Sequence, residues 1–210
     1  MNFTELIQKL EKGFSKPLPG KNAHLTMAPN PIDPKRFDPE VPSNHRKGAV
    51  LILFYPDSQE VCFPLIKRPS YEGVHSGQIA FPGGKYELED ANLEQTALRE
   101  AQEEVGVDPS RVEILGEMTS LFIPPSNFLV SPFIGITSQK PEFVREEKEV
   151  DRILLPTVKE LLSPSIRKEK KFNFARNLVL DTPYFEIDGE VVWGATAMML
   201  SELLHLIDEG

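Results

Sequence analysis

The sequence predicts a mixed α/β chain, either α+β or a three-layer α/β/α sandwich around a mixed sheet, rather than a doubly wound parallel fold. Three observations point there. Strand-like runs outnumber helical ones and do not alternate with them as βαβ units would. At 40% hydrophobic and 26% charged over 210 residues, the composition is ordinary for a globular chain and supplies a sizeable core. Proline usage then changes along the chain: seven of the 19 prolines fall in the first 45 residues. This sets residues 1–45 apart as an N-terminal helix and proline-rich arm, ahead of a main domain at 46–210.

Residues 4–13 read as a short helix, with Leu6, Ile7 and Leu10 on one side and Gly13 as a stop. The proline-rich arm admits neither regular helix nor central strand, and reads as an extension wrapping the core or a partner subunit, as in a homodimer. Residues 49–55, Ala-Val-Leu-Ile-Leu-Phe-Tyr, form a buried-strand run closed by Pro56-Asp57-Ser58, with residues 61–67 expected to return as the hairpin partner. A short strand is expected at 78–81, ending at Pro82-Gly83-Gly84, where Gly-Gly most commonly means a tight turn. Residues 93–105 read as a helix, because Leu98, Ala101 and Val105 share a face and Gly106 stands where a left-handed cap would be. Further strands are expected at 112–117, 130–137, 172–180 and 184–192, with helices at 158–162 and 196–208.

Several classes are disfavoured. Cys62 is the only cysteine, which excludes internal disulfides and cysteine-rich zinc sites. No run of about 18 apolar residues suggests a membrane span, and residues 1–10 show no secretory leader pattern, so the expectation is a cytoplasmic protein without a membrane partner. A net charge of −9 argues against nucleic acid as a partner. Charge is also uneven. Residues 87–104 hold seven acids against Arg99 alone, while residues 64–86 hold Lys67, Arg68 and Lys85 against Glu72. Such a junction suits an anionic ligand met together with a cation, or equally two solvated surfaces of opposite sign.

On a helix, Glu100, Glu103 and Glu104 converge at i, i+3 and i+4, close to the C-terminal end where the dipole disfavours anions. A divalent cation would resolve that repulsion, and oxygen donors suit Mg²⁺ or Mn²⁺. The bland alternative is a solvated acidic helix end. Other motifs fail. Gly84-Lys85-Tyr86 lacks the Ser or Thr of a phosphate-binding loop, and Ser76 is misplaced for a nucleophile elbow. His24, His45, His75 and His205 have no metal-ligand spacing, and His75 alone is kept as a phosphate donor.

From Gly84 to Val107 the chain resembles the Nudix box, G-x5-E-x7-R-E-U-x-E-E-x-G-U, in Arg99, Glu100, Glu103, Glu104, Gly106 and Val107. The box glutamate position falls on Asp90, with eight residues rather than seven before Arg99. Upstream, Leu65, Arg68, Gly77 and Phe81-Pro82-Gly83-Gly84 are similar to the signature of the CoA-cleaving branch, whereas Ile66, Pro69 and Gly73 depart from it. Val192-Trp-Gly-Ala-Thr196 looks like the family's ending. The resemblance implies a Nudix-type α/β/α sandwich and hydrolysis of a diphosphate in a small nucleoside diphosphate substrate. CoA would give 3′,5′-ADP and 4′-phosphopantetheine; ADP-ribose and a non-catalytic binding module are the rivals. It further implies Mg²⁺ or Mn²⁺ on Glu100 and Glu104, helped by Glu103 and the Gly84 carbonyl. Arg99 would brace an acid, and Glu149 would serve as base. Lys67, Arg68, Lys85, Gly83 and His75 would contact substrate, with Arg68 taking the 3′-phosphate.

Overall fold

A computed structural model describes residues 1–32, 41–73, 75–174 and 178–210, with side chains of 173–178 excepted. The latter part of the proline-rich arm, 33–40, lies outside the described residues. The central element is β1 (Arg46–Asp57), whose apolar run is buried on both faces. It is the hub of a six-stranded mixed sheet. β1 pairs in parallel with β8 (Phe128–Ile136), and antiparallel with β2 (Glu60–Cys62) and β5 (Gly83–Lys85). β6 (Glu113–Glu117) and β7 (Leu121–Ile123) pair with the other side of β8.

Alternation along β1 divides the core. Ala49, Leu51 and Leu53 pack against Ala97, Leu98, Ala101 and Val105 of α3 (Leu93–Val105). Ile52 and Phe54 face the opposite layer, which contains Leu6 and Leu10 of α1 (Phe3–Phe14) and Met198 and Leu203 of α5 (Gly194–Glu209). The result is the expected α/β/α sandwich. Gly106 caps α3 in the left-handed region at φ 75°, as the sequence requires.

Three expectations are corrected. Residues 61–67 do not return as one strand: after Phe63-Pro64 the chain leaves β1, and β3 (Leu65–Lys67) joins β4 (Ile79–Ala80) and β9 (Arg152–Leu154) in a separate three-stranded sheet. Proline lacks the N–H that would continue the first ladder. The runs 172–180 and 184–192 are parts of one antiparallel sheet, β10 (Arg167–Phe174), β11 (Leu178–Ile187) and β12 (Glu190–Val192). Gly83-Gly84 belongs to a strand, not a turn.

The arm also contains a short helix, α2 (Gly20–Leu25), fitted between prolines 19 and 29. The N-terminal segment packs on its own chain. Lys9 and Lys12 of α1 donate to the Ile207 and Gly210 carbonyls at the end of α5, at 3.1 and 2.7 Å, satisfying groups that a helix terminus leaves unpaired. Between α2 and α5, Glu202 is fully buried and accepts hydrogen bonds from His24 Nε2 at 2.8 Å, Gly20 N at 3.1 Å and Thr119 N at 3.3 Å. Among the described residues no helix is long and apolar enough to cross a membrane. A further short helix, α4 (Val158–Leu161), closes the rim near β2.

Candidate active site

The site grows from the packing of α3 on β5. Asn92 caps α3 by accepting from Gln95 N at 2.9 Å. Just ahead of the helix, Asp90 is buried and accepts from Thr96 Oγ1 at 2.8 Å and Glu87 N at 3.0 Å. Arg99 closes on it with both sides of its fork, Nε to Oδ1 at 2.9 Å and Nη2 to Oδ2 at 3.0 Å. The same guanidinium reaches the Lys85 carbonyl, Glu100 and Glu103, each at 3.0 Å. Strand, loop and helix are therefore clamped by one side chain. Arg99 holds the Asp90 carboxyl down at about 2, with the Glu87 and Thr96 donors assisting. Despite the shorter acid and the extra residue before Arg99, Asp90 still reaches the arginine.

Inside the clamp, Glu104 is only 2% exposed and accepts from Gly83 N at 2.8 Å. Burial pushes its carboxyl up to about 7, with Glu100 and Glu149 adding repulsion, although Arg68 and the Gly83 N–H pull the other way. Burial likewise raises Glu100, against the pull of Arg99. Helix and strand meet so closely that a Cβ on Gly84 would come 2.5 Å from the Glu100 carboxylate and force that side chain to move.

Glu100, Glu104, Glu149, Arg68, Lys85, Gly83, Gly84 and His75 all line one cleft of about 730 Å³. Arg68 Nη2 lies 3.4 Å from the Gly83 carbonyl, beside Glu104. His75 sits at φ 71° with Nδ1 2.9 Å from Gln78 Oε1. Two expected residues stand elsewhere. Lys67 points off the cleft, its Nζ paired with Glu190 Oε1 at 2.7 Å, because strand alternation turns it toward β12. Glu103 is exposed on the outer side of Arg99 and does not line the cleft. The cleft is also lined by apolar side chains, those of Ile123, Pro125, Phe128, Val130, Met199 and Trp193. Of these only Trp193, in the Val192–Thr196 motif, carried a signal in the sequence.

Among the described residues no three His, Cys, Asp or Glu side chains form a ready cation cage. Glu100 and Glu104, two of the three carboxylates lining the cleft, instead offer a partial oxygen set, which suits a hard divalent ion that keeps much of its water. A buried carboxylate without enough donors fits that role.

The family model for the NUDIX domain matches residues 45–178. The chain belongs to the Nudix family. It is 33% identical to Nudix hydrolase 15, mitochondrial, from Arabidopsis thaliana, over 83% of this chain and 61% of that protein. The chain thus spans less than two thirds of this plant Nudix relative. It is also 32% identical to the protein named Uncharacterized Nudix hydrolase NudL from Yersinia enterocolitica, over 79% of this chain and 84% of the relative. Among solved structures, the MutT protein from Methanosarcina mazei Go1 aligns with 76% of this chain and 92% of its own, at 15% identity and TM-score 0.48.

Proposed function

We propose that the protein hydrolyses the diphosphate bond of CoA or a CoA derivative in the presence of Mg²⁺ or Mn²⁺, giving 3′,5′-ADP and (acyl) 4′-phosphopantetheine. The observation that carries this reading is Glu104, a buried carboxyl pushed up to about 7 at the floor of a cleft that Arg68 and Lys85 also line. Glu100 and Glu104, with the Gly84 carbonyl, would hold the cation. When bound, the cation neutralises diphosphate charge and makes a water more acidic. Arg68 binds non-bridging diphosphate oxygens, and Lys85 adds positive charge at the cleft rim. Glu149, the other carboxylate lining the cleft, takes the proton from the attacking water. Arg99 does not touch substrate; it fixes Glu100 against β5.

The mixed lining of the cleft supports a CoA-type substrate. It combines charged groups with an apolar wall, as a diphosphate joined to a long, weakly polar arm requires. Residues 1–45 are assigned to holding the fold together rather than to chemistry. Turnover of CoA, an acyl-CoA, ADP-ribose and diadenosine polyphosphates, with Mg²⁺, Mn²⁺ or EDTA, tests the reading. Higher kcat/KM for ADP-ribose than for any CoA would replace the substrate, and EDTA-insensitive turnover would remove the cation.

A further inference from the structure

The Arg68 geometry leaves one part of a CoA-type ligand without a partner. Arg68 lies with Nη2 3.4 Å from the Gly83 carbonyl and beside Glu104, which places it with the diphosphate in the reading above. We propose that Arg46, with Lys85 beside it, forms a phosphomonoester subsite at the cleft rim that reads the 3′-phosphate of the substrate; this rests on the CoA reading above.

The placement follows from strand register. Arg46 opens β1 and is exposed, on the same face as Gly48 and Val50. Val50 lines the cleft. Phe128, Arg46's parallel partner on β8, also lines the cleft, and the Arg46 guanidinium is centred 4.1 Å above its ring. Gly48 sits tightly between β5 and this ring: a Cβ there would meet the Gly84 carbonyl at 2.5 Å and the Phe128 ring at 3.2 Å. Lys85 faces Gly48 across the β1–β5 ladder, which puts it on the same face as Arg46 and diagonal to it, at about 7–8 Å between such positions. The Arg46 backbone is fixed as well, its N–H donating to the Asn127 carbonyl at 2.8 Å.

Charge completes the argument. Among the described residues neither Arg46 nor Lys85 is ion-paired with a carboxylate, whereas Lys67, Arg99, Lys140, Arg152 and Lys168 all are. Two unpaired like charges on one rim are mutually unfavourable until a dianion sits between them. Arginine stacked on an aromatic ring keeps its outward edge free for a bidentate grip on phosphate oxygens, and a dianionic monoester is the group such a pair fits best.

Calorimetric binding of three nucleotides to the intact protein provides the test. 3′,5′-ADP should bind at least about tenfold more tightly than AMP, the scale of one charge-assisted hydrogen bond. Arg46→Gln should abolish that advantage, and Arg46→Lys should restore part of it. AMP affinity should move less than about twofold in both variants. Unchanged 3′,5′-ADP preference in Arg46→Gln, with an unshifted melting temperature, would overturn the subsite. 2′,5′-ADP separates the two ribose esters: tighter binding than 3′,5′-ADP would overturn the assignment to the 3′-phosphate. Turnover in the unmodified protein is read separately. CoA cleaved no better than its 3′-dephospho form, with unchanged binding in Arg46→Gln, fails the subsite alone; no cleavage of either fails the functional reading itself.

Discussion

Glu104 and Glu202 are the same side chain, equally withdrawn from water, in opposite circumstances. Glu202 lies between α2 and α5 with three donors, from His24, Gly20 and Thr119. Burial alone would push it up, but His24 and Thr119 outweigh that and hold its carboxyl below the ordinary range. Glu104 has one backbone donor, two carboxylates nearby and a carboxyl pushed up to about 7. The first is a completed network that ties the N-terminal segment to the C-terminal helix. The second is left short of positive charge on the cleft floor, where a ligand can supply it. Burial of a charge does not mark function; the missing partner does.

The largest effect that follows is on turnover. Glu104→Gln keeps the shape and the acceptor for Gly83 N–H but removes the charge. Turnover should fall on the order of 10³-fold, the scale of several kcal/mol of lost charge stabilisation. Cation-free stability should stay level or rise, since a poorly solvated charge is gone. Near-normal turnover at saturating Mg²⁺ would dissolve the distinction between the two glutamates.

Glu202→Gln should do the reverse. It replaces the carboxylate that His24 faces with a neutral amide and weakens two backbone contacts in a dry site, at a cost of about 1–3 kcal/mol in urea unfolding, the usual scale for losing a charged partner from a buried hydrogen-bond network. Turnover per folded molecule should be retained. A loss below about 1 kcal/mol would mean that the N-terminal segment is held by α1 packing alone.

Sequence pattern and structure agree where periodicity is long. Leu98, Ala101 and Val105 defined α3, and Gly106 its end, because helix sterics and the left-handed cap are local. Short elements were hidden: β7 and β9 have three residues each, too few for a period to show. The β11–β12 turn was readable from Asp188-Gly189, a hairpin signal masked by continuous strand-like residues on both sides. The exit of β3 to another sheet was not readable, since it depends on pairing with β9 far along the chain. Within the site, local spacing brought out Arg99, Glu100 and Glu104. The apolar wall and Arg46 come from β1, β7, β8 and the start of α5, and only the fold brings them together. Glu202 did leave a trace, as a lone acid inside the apolar run Met198-Met-Leu-Ser-Glu-Leu-Leu204.

Opposite pKa directions give opposite pH slopes. Between pH 4.5 and 7 the folded, cation-free protein keeps a proton on Glu104 that the unfolded chain releases, so stability falls as pH rises. The full change is about 3 kcal/mol. Glu202 contributes in the other sense: its stabilisation is present at neutral pH and is lost as pH drops below its ordinary value of 4.5. Urea midpoints of the cation-free protein across pH 5–8 should therefore decline, and Glu104→Gln should flatten the curve. Adding Mg²⁺ should flatten it as well, because the cation replaces the proton. A rising curve in cation-free buffer would contradict the Glu104 environment.

The smallest effect isolates how Glu202 obtains its donors. Gly20 sits at φ 50°, a left-handed conformation that aims its N–H at the Glu202 carboxylate. Alanine there is strained by about 1–2 kcal/mol. Its Cβ would also meet Thr119 Oγ1 at 3.1 Å, so that the Thr119 side chain must give slightly. Gly20→Ala should therefore cost less than Glu202→Gln, because His24 and Thr119 still reach the carboxylate. The double variant should lose less than the sum of the two single changes, since with the charge gone the Gly20 N–H has less to hold. Strict additivity in urea unfolding would mean that Gly20 acts only through the local turn. The three-donor network would then reduce to two, and the contrast with Glu104 would narrow accordingly.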